Sequence, residues 1–397
     1  MQNEHENMPL RFGSPDDYAR VAGSLKKADF TEATICRTLA LGNMSDLNSG
    51  HAKNCDLNDA PPCLALFIRL FLFFETVARL EIEMLIDRET IDAFLQLDIL
   101  RLVAENDCEY YTSVFLYPVA GFYIASDRPV DPDGIVRERK DWVLPAIYEG
   151  TLNFLSKLIT SPAGEALDLC SGAGIGAMAL SRNARKAVAV DIAPRAVRYA
   201  RFNKELNNLS HVEILESNLY DAVSGRTFDR IIAHPPYVPT IRNQSVFKDG
   251  GETGEYFVRS IIEGLPEYLR PDGTYYSLSF NLDTQSAPFE ERARLWLGDS
   301  RQDFDIVFAV SEVRPVEKVI ENILERENIT SPDDMSRFRQ AFEKIEAAQF
   351  VYGMLVIRRR KPEEQGTPCT LRIEMTAGAT GNDLVKMLKN RSAPIIQ

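Results

Sequence analysis

The chain has 397 residues, 45% of them hydrophobic and 26% charged, and its 45 Lys and Arg against 58 Asp and Glu leave a net charge of −13. That length supports two or three domains with a large core, and the acid excess weighs against a nucleic-acid partner, which asks for a basic face. Six scattered cysteines without a C-x-x-C pair, and four histidines not clustered with them, point to reduced thiols and to no metal site.

Residues 1–13 (MQNEHENMPLRFG) are polar, lack the character of a signal peptide and read as disordered. Ser14-Pro15-Asp16-Asp17 predicts a helix running to about Ala28, and a second helix follows over residues 31–41. Residues 42–62, rich in Asn, Asp, Ser, Gly and Pro, read as a loop. Helical patterns over 62–74, 76–86 and 88–97 precede short strands at 102–104, 110–116 and 121–125. Residues 14–126 thus form a mainly helical N-terminal domain. The longest apolar run, 63–74, contains Arg69 and is too short to span a bilayer, so no membrane is expected and the default compartment is the cytoplasm. Two prolines, a glycine and mixed charges mark 127–141 as a linker.

A helix over 144–158 opens the next domain, 142–361. Residues 165–237 then carry four short apolar runs, each ending in a polar or glycine residue, with helical patterns after the first two. That alternation predicts a parallel sheet wound with helices, its ligand beyond the carboxyl ends of the strands. The first run brings Asp168 and the loop Ser171-Gly172-Ala173-Gly174-Ile175-Gly176. Its G-x-G-x-G spacing differs from the pyrophosphate-binding G-x-G-x-x-G, and the acid ahead of it suits a cationic ligand. The second run ends in Asp191, placed to take both hydroxyls of a ribose. The third ends in Ser217-Asn218-Leu219, where a polar and an apolar side chain can meet the edge and face of an adenine. The fourth ends in His234-Pro235-Pro236-Tyr237, a fixed turn without backbone donors at the prolines.

Downstream, Gly250, Gly251 and Gly254 read as a mobile loop, followed by a helix over 255–269, strand five at 274–280 and a helix at 288–297. Strands six (305–310) and seven (350–358) are separated by residues 311–349, which hold two helical patterns, 315–327 and 332–348. This insertion is either part of the substrate site or a packing elaboration. Residues 362–397 form a C-terminal extension with a strand at 369–375 and a helix at 382–390.

The glycine loop, the acid, Asn-Leu and x-P-P-Y, in this order and spacing, resemble class I S-adenosylmethionine-dependent methyltransferases. Among these they are most similar to the Asn-Pro-Pro-Tyr group, the release-factor glutamine methyltransferases and the nucleic-acid amino-methyltransferases. The likeness extends to PAIYEGTLNFL at 145–155 and through 249–280, covering roughly 141–360. It implies an α/β fold with a Rossmann-like, doubly wound, seven-stranded methyltransferase sheet behind the helical N-terminal domain. It implies S-adenosyl-L-methionine as cofactor, met by Tyr148, Glu149 and Thr151 at its amino-acid end and by Asp168, Cys170, Ser171, Gly172, Ala173, Gly174, Gly176, Asp191, Ile192, Asn218, Leu219 and His234. It implies catalysis at His234, Pro235 and Tyr237. The family's Asn is His234 here. Its imidazole can accept one hydrogen bond and donate another, but is larger and ring-shaped. It orients the acceptor, acts as a general base, or leaves the role to the backbone alone.

Three helices and a strand ribbon before the catalytic domain resemble a winged-helix module. From residue 61 to 126 there are four Arg, no Lys and ten acids, a net −6, and Glu89, Asp92 and Asp98 on the would-be reading helix repel phosphates. Charge therefore favours a substrate-side cap or a homodimer contact. The acid balance, the lost Asn and the extra elements flanking the site point to N-methylation of a small-molecule acceptor, an amino acid or specialised metabolite. The alternatives are a protein glutamine methyltransferase, an rRNA or DNA amino-methyltransferase, and a non-catalytic binding protein. In any of the enzymes the acceleration comes mainly from alignment of the nucleophile.

Overall fold

The computed structural model describes residues 8–47, 55–103, 108–130, 139–242 and 245–390. Residues 1–7 of the stretch expected to be disordered, 131–138 of the expected linker, 48–54 of the loop, position 104 of the expected strand at 102–104 and the tail from 391 lie outside it. The chain folds as two compact units. One comprises Met1–Leu152, Gly172–Ala179 and Ala193–Ile214; the other comprises Asn153–Ser171, Leu180–Ile192 and Leu215–Gln397.

In the first unit, α1 (Pro15–Lys27) starts at a capping box. Ser14 Oγ accepts the Asp17 amide and Asp17 Oδ2 accepts the Ser14 amide. Tyr18, Val21 and Leu25, spaced three and four apart, are its buried stripe. Residues 8–13 are not disordered as expected: Leu10 is 1% exposed, and the Arg11 amide donates to the Leu97 carbonyl at 3.0 Å. The buried Leu10 and a partnered backbone fix this segment, in which only Arg11 is charged. Next come α2 (Glu32–Thr38) and α3 (Pro62–Phe67). The helix expected to reach residue 74 instead widens into a π turn over Ile68–Leu72 and stops at Phe74, whose φ is +59°. This arrangement brings Phe67, Phe71, Phe30 and Phe94 into one aromatic cluster, Phe67 stacking on Phe71 at 5.4 Å.

There follow β1 (Val77–Ala78), α4 (Arg79–Leu85), α5 (Arg88–Gln96), β2 (Leu100–Leu102), β3 (Glu109–Thr112), β4 (Phe115–Val119) and β5 (Phe122–Ser126). The helix expected over 76–86 yields its first residues to β1, because Val77 and Ala78 pair antiparallel with Tyr110 and Glu109. The single strand expected at 110–116 breaks at Ser113, whose hydroxyl donates to the Pro9 carbonyl at 2.8 Å. The break separates a β1-β3-β2 sheet from a β4–β5 hairpin. The helix expected over 144–158 is α6 (Glu149–Ser156).

The second unit is built on one sheet. Its elements, with the two helices that belong to the first unit, are β6 (Ala163–Leu169), α7 (Ile175–Leu180), β7 (Ala184–Asp191), α8 (Pro194–Leu206), β8 (Val212–Glu216), β9 (Phe228–Ala233), α9 (Tyr256–Tyr268), β10 (Leu269–Thr284), α10 (Phe289–Trp296), β11 (Phe304–Pro315), α11 (Val316–Arg326), α12 (Pro332–Lys344), β12 (Ala347–Arg359), β13 (Thr370–Glu374) and α13 (Gly381–Asn390). The strand order is β13-β11-β12-β10-β9-β6-β7-β8. β6 is parallel to β7 and β9, and β9 to β10, while β12 runs antiparallel between β10 and β11. The seven expected strands are present, and the strand read in the C-terminal extension joins them as an eighth, parallel to β11. Leu167, Leu169, Val188, Val190, Ile231 and Tyr275 form one buried face with Ile261, Ile262 and Leu265 of α9 and Phe289 of α10.

Three strands outrun the sequence expectation. β10 pairs with β9 only as far as Ser277↔Ala233, then continues with β12 to Thr284. With β11 and β12 it makes an arm beyond the carboxyl ends of the parallel strands. The helical insertion is correspondingly shorter than residues 311–349. Its α11 and α12 cover the arm through Ile320, Ile323, Leu324, Phe338 and Phe342, packed on Leu282 and Phe350. The outer half of β11 alternates exposed and half-buried residues, Ser311 to Pro315, a pattern that reads as loop because its half-buried positions are the charged Glu312 and Arg314. Among the described residues no helix is long and apolar enough to cross a membrane.

Candidate active site

In the second unit, four parallel strands end side by side. β6 carries Asp168, 3% exposed, and leads into Cys170, a non-glycine residue at φ +57°. Burial first, then the carboxylates of Asp191 and Asp168, push the Cys170 thiol well up, so it is an inert thiol. The Ser171 amide donates to the Val190 carbonyl at 3.1 Å, while its hydroxyl is buried without a partner. β7 ends on half-buried Asp191, whose carbonyl accepts the Ser217 amide at 2.9 Å. The Ser217 hydroxyl accepts the Ala222 amide and donates to the Leu219 carbonyl, closing a small ring that holds Leu219 at φ +47°. Ile192, an apolar side chain left 49% exposed, lines with Ser217, Asn218 and Asp221 an open pocket of about 400 Å³. Three chain segments predicted to meet an adenosine are therefore together.

β9 delivers His234. Its ring stacks on Phe154, centroids 5.0 Å apart and planes 9° apart, with Tyr237 at 5.9 Å on a tilt. Tyr276 supports Phe154 by donating its hydroxyl to the Phe154 carbonyl at 3.0 Å. His234 is only half-buried as a residue, but its Nε2 is sealed and has no hydrogen-bond partner. Burial lowers the imidazole pKa to about 4, so the ring is neutral near pH 7. Tyr237, its phenol pushed up by burial, continues the aromatic file to Phe280, Tyr352 and Arg314 on the arm.

The segment after the double proline folds back over it. The Val238 amide donates to the Lys248 carbonyl at 2.9 Å and the Gly250 amide to the Val238 carbonyl at 2.8 Å, and a Cβ on Gly250 or Gly254 would lie 2.8 or 2.5 Å from the Tyr237 backbone. These glycines give an ordered wrap rather than the mobile loop expected. Glu255, 6% exposed, anchors it by pairing with Arg292 and accepting the Leu282 amide.

In the first unit, the loop holds Gly172 at φ +53° and Gly174 at φ +86°, conformations that favour glycine. A Cβ on Gly172 would meet nothing within 4 Å; one on Gly174 would meet the Ala200 Cβ at 3.0 Å. Gly176 sits in α7. Tyr148 and Glu149 are exposed and Thr151 half-buried at the start of α6.

Phe154, Phe280 and Tyr276 were missed as site residues. Aromatic side chains at helix or strand spacing read as core, and only the tertiary structure sets Phe154 against His234, Tyr276 against Phe154 and Phe280 against Tyr237. Among the described residues no group of three or more His, Cys, Asp or Glu side chains is disposed to hold a metal ion.

Within the second unit, the orphan Ser171 hydroxyl and the exposed Ile192 beside its pocket fit a nucleoside with a charged amino-acid tail. The fold and this donor set are those of a class I methyltransferase. The profile of the methyltransferase small domain matches residues 145–281. The release factor glutamine methyltransferase of Thermodesulfovibrio yellowstonii is 30% identical over 177 residues, 41% of this chain and 61% of that protein. A protein of Methanocaldococcus jannaschii, provisionally named as a protein N5-glutamine methyltransferase, is 32% identical over 148 residues, 35% of this chain and 74% of its own length. The ribosomal protein uL3 glutamine methyltransferase of Xanthomonas campestris is 32% identical, covering 27% of this chain and 39% of itself. The chain thus spans less than two thirds of the first and third of these relatives. The M. jannaschii tRNA m1G37 methyltransferase structure superposes with a TM-score of 0.36 at 15% identity, covering 63% of this chain and 57% of its own. The chain belongs to the S-adenosylmethionine-dependent methyltransferases of the release-factor glutamine methyltransferase type.

The expectation of a small-molecule acceptor is overturned by these relatives, which are named for glutamines of proteins. Neither the acid balance nor the lost Asn discriminated a metabolite from a protein, because both tell only against a phosphate-rich partner or a particular hydrogen-bond geometry.

Proposed function

We propose that this chain transfers a methyl group to the side-chain amide nitrogen of a glutamine in a protein. The observation that carries the proposal is the His234-Pro235-Pro236-Tyr237 turn at the carboxyl end of β9. The relatives' names supply the amide as its partner.

S-adenosylmethionine, when bound, supplies a methyl group on an electrophilic sulfonium. Asp191 would hold its ribose, Ile192, Asn218 and Leu219 its adenine, and the loop from Asp168 to Gly176 its amino-acid end, with Tyr148, Glu149 and Thr151 nearby in sequence. An amide nitrogen is a poor nucleophile while its lone pair is delocalised. The chain's task is to fix both N–H groups so that the lone pair faces the methyl donor. The neutral imidazole of His234 offers one acceptor at its unprotonated nitrogen, and the His234 and Pro235 carbonyls offer the other. Tyr237 and Phe154 exclude water on either side of the ring and hold its plane. Positioning of this kind carries most of the acceleration.

Incubation of the full chain with methyl-labelled cofactor and a protein extract, with a release factor and ribosomal protein uL3 as first purified acceptors, tests this. The expected result is label in protein, recovered as N5-methylglutamine after digestion. Label confined to an RNA or DNA fraction overturns the proposal. His234→Ala is expected to lower turnover by roughly a hundredfold, the range seen when a positioning group is lost.

A further inference from the structure

We infer that Asn203, on α8 and outside every motif that marks the site, is a positioning residue for the glycine loop, and that through it the β4–β5 hairpin is coupled to cofactor binding. The inference rests on that loop being the cofactor's seat.

Asn203 is completely buried. Its Oδ1 accepts the Ala125 amide at 2.8 Å, and its Nδ2 donates to the Ala125 carbonyl and to the Ala173 carbonyl, each at 3.0 Å. One turn further on, Asn207 repeats the first half of this: its Oδ1 accepts the Tyr123 amide at 2.9 Å and its Nδ2 donates to the Tyr123 carbonyl at 2.7 Å. The two asparagines act as a substitute strand along β5. The spacing permits it, since four helical residues rise about 6 Å and two strand residues about 6.6 Å. Only Asn203 also reaches the loop.

That third bond matters because of where it lands. Ala173 lies between Gly172 and Gly174, both at positive φ, so the loop has little of its own to fix the plane of the peptide joining 173 and 174. Holding the Ala173 carbonyl toward α8 turns the N–H of Gly174 the opposite way, because the peptide is planar and trans. Ala200, three residues before Asn203 on the same helix, presses against Gly174 from below and leaves no room for a side chain. The loop's amide direction is therefore set from α8, and the same side chain completes the hydrogen bonding of β5. Binding that orders the loop must order the Ala125 contact, and loss of that contact must weaken binding by an equal factor.

Calorimetric titration with S-adenosylhomocysteine, the demethylated cofactor, separates the possibilities in the full chain. Asn203→Ala is expected to weaken binding roughly tenfold to a hundredfold, the cost of one to two buried hydrogen bonds. Asn207→Ala, which loses an equal share of the β5 contacts but none to the loop, is expected to change it by less than about threefold. Turnover of Asn203→Ala on the acceptor should show a raised KM for cofactor with kcat largely kept. Equal affinities for the two variants, at similar melting temperatures, overturn the inference. Absence of binding by the wild type overturns instead the assignment of the loop. If Asn203→Ala does not fold, hydrogen exchange of the wild type decides: the Ala125 amide should slow several-fold on saturation with S-adenosylhomocysteine, and an unchanged rate overturns the coupling.

Discussion

His234 shows how much one side chain reveals once its surroundings are known. The unfolded chain takes up its proton near pH 6.5, whereas the folded ring, stripped of water, resists protonation down to about 4. A folded pKa below the unfolded one means stability that is complete above pH 6.5 and declines as pH falls toward 4. At pH 5 the loss is about 2 kcal/mol. His234→Asn has nothing to titrate there, so its denaturant midpoint should fall less than the wild type's between pH 7.5 and pH 5. Equal falls would remove the account of a buried neutral ring. The sequence singled out this residue by its place before two prolines, as it singled out Asp191 and Asn218 by their places after apolar runs. It could not disclose Phe154, whose helix reads as an ordinary domain entry and which lies eighty positions from its stacking partner. Nor could it disclose Asn203, because an asparagine in a helix looks like a surface residue until the strand it serves is in view.

At the scale of elements, the parallel core was legible because its strands are short, apolar and closed by distinctive polar ends. The arm of β10, β11 and β12 was not, since its outer residues mix charged and apolar side chains, and Leu282 and Phe350 find their partners only in α11 and α12. The wrap of residues 245–255 was misread for a related reason: glycine marks both a loop that moves and a loop that must pass close to another backbone. Here it is the second. Gly254 has φ +86°, and a Cβ there would strike the Tyr237 carbonyl oxygen at 2.5 Å. Gly254→Ala is therefore expected to displace the double-proline turn and reduce methyl transfer at least tenfold, at a stability cost of about 1–3 kcal/mol. Binding of S-adenosylhomocysteine should stay within about twofold of the wild type, since the change lies away from the nucleoside segments. A loss of affinity matching the loss of rate would place the wrap in cofactor binding instead.

The whole molecule departs from a simple reading as an N-terminal domain, a linker and a catalytic domain in sequence. The glycine loop and α8 belong to the same compact unit as the first 152 residues. Asp127, within the stretch expected to be a linker, is 5% exposed and paired with Arg195, and it accepts hydrogen bonds from Tyr199 and the Val143 amide. A fragment starting at residue 142 would keep Arg195, Asn203 and Asn207 but lose Asp127, Ala125 and Tyr123. An uncompensated buried charge costs about 3–5 kcal/mol and each stranded amide about 1–3 kcal/mol, a sum comparable with the stability of an entire domain. We expect that fragment to be insoluble or to show no cooperative melting. A fragment that melts within a few degrees of the full chain would contradict this.

Strand β13 also has a protective role. It lies along β11, a strand twelve residues long, and its own outer side is short, polar and partly exposed. Arg372 rivets it down through Asp283 and Glu290. Clipping the chain after residue 365 would strip that sheath and present a bare row of amides and carbonyls to any neighbour, inviting templated stacking of copies. Light scattering of the clipped protein should rise with concentration, while the intact chain stays clear.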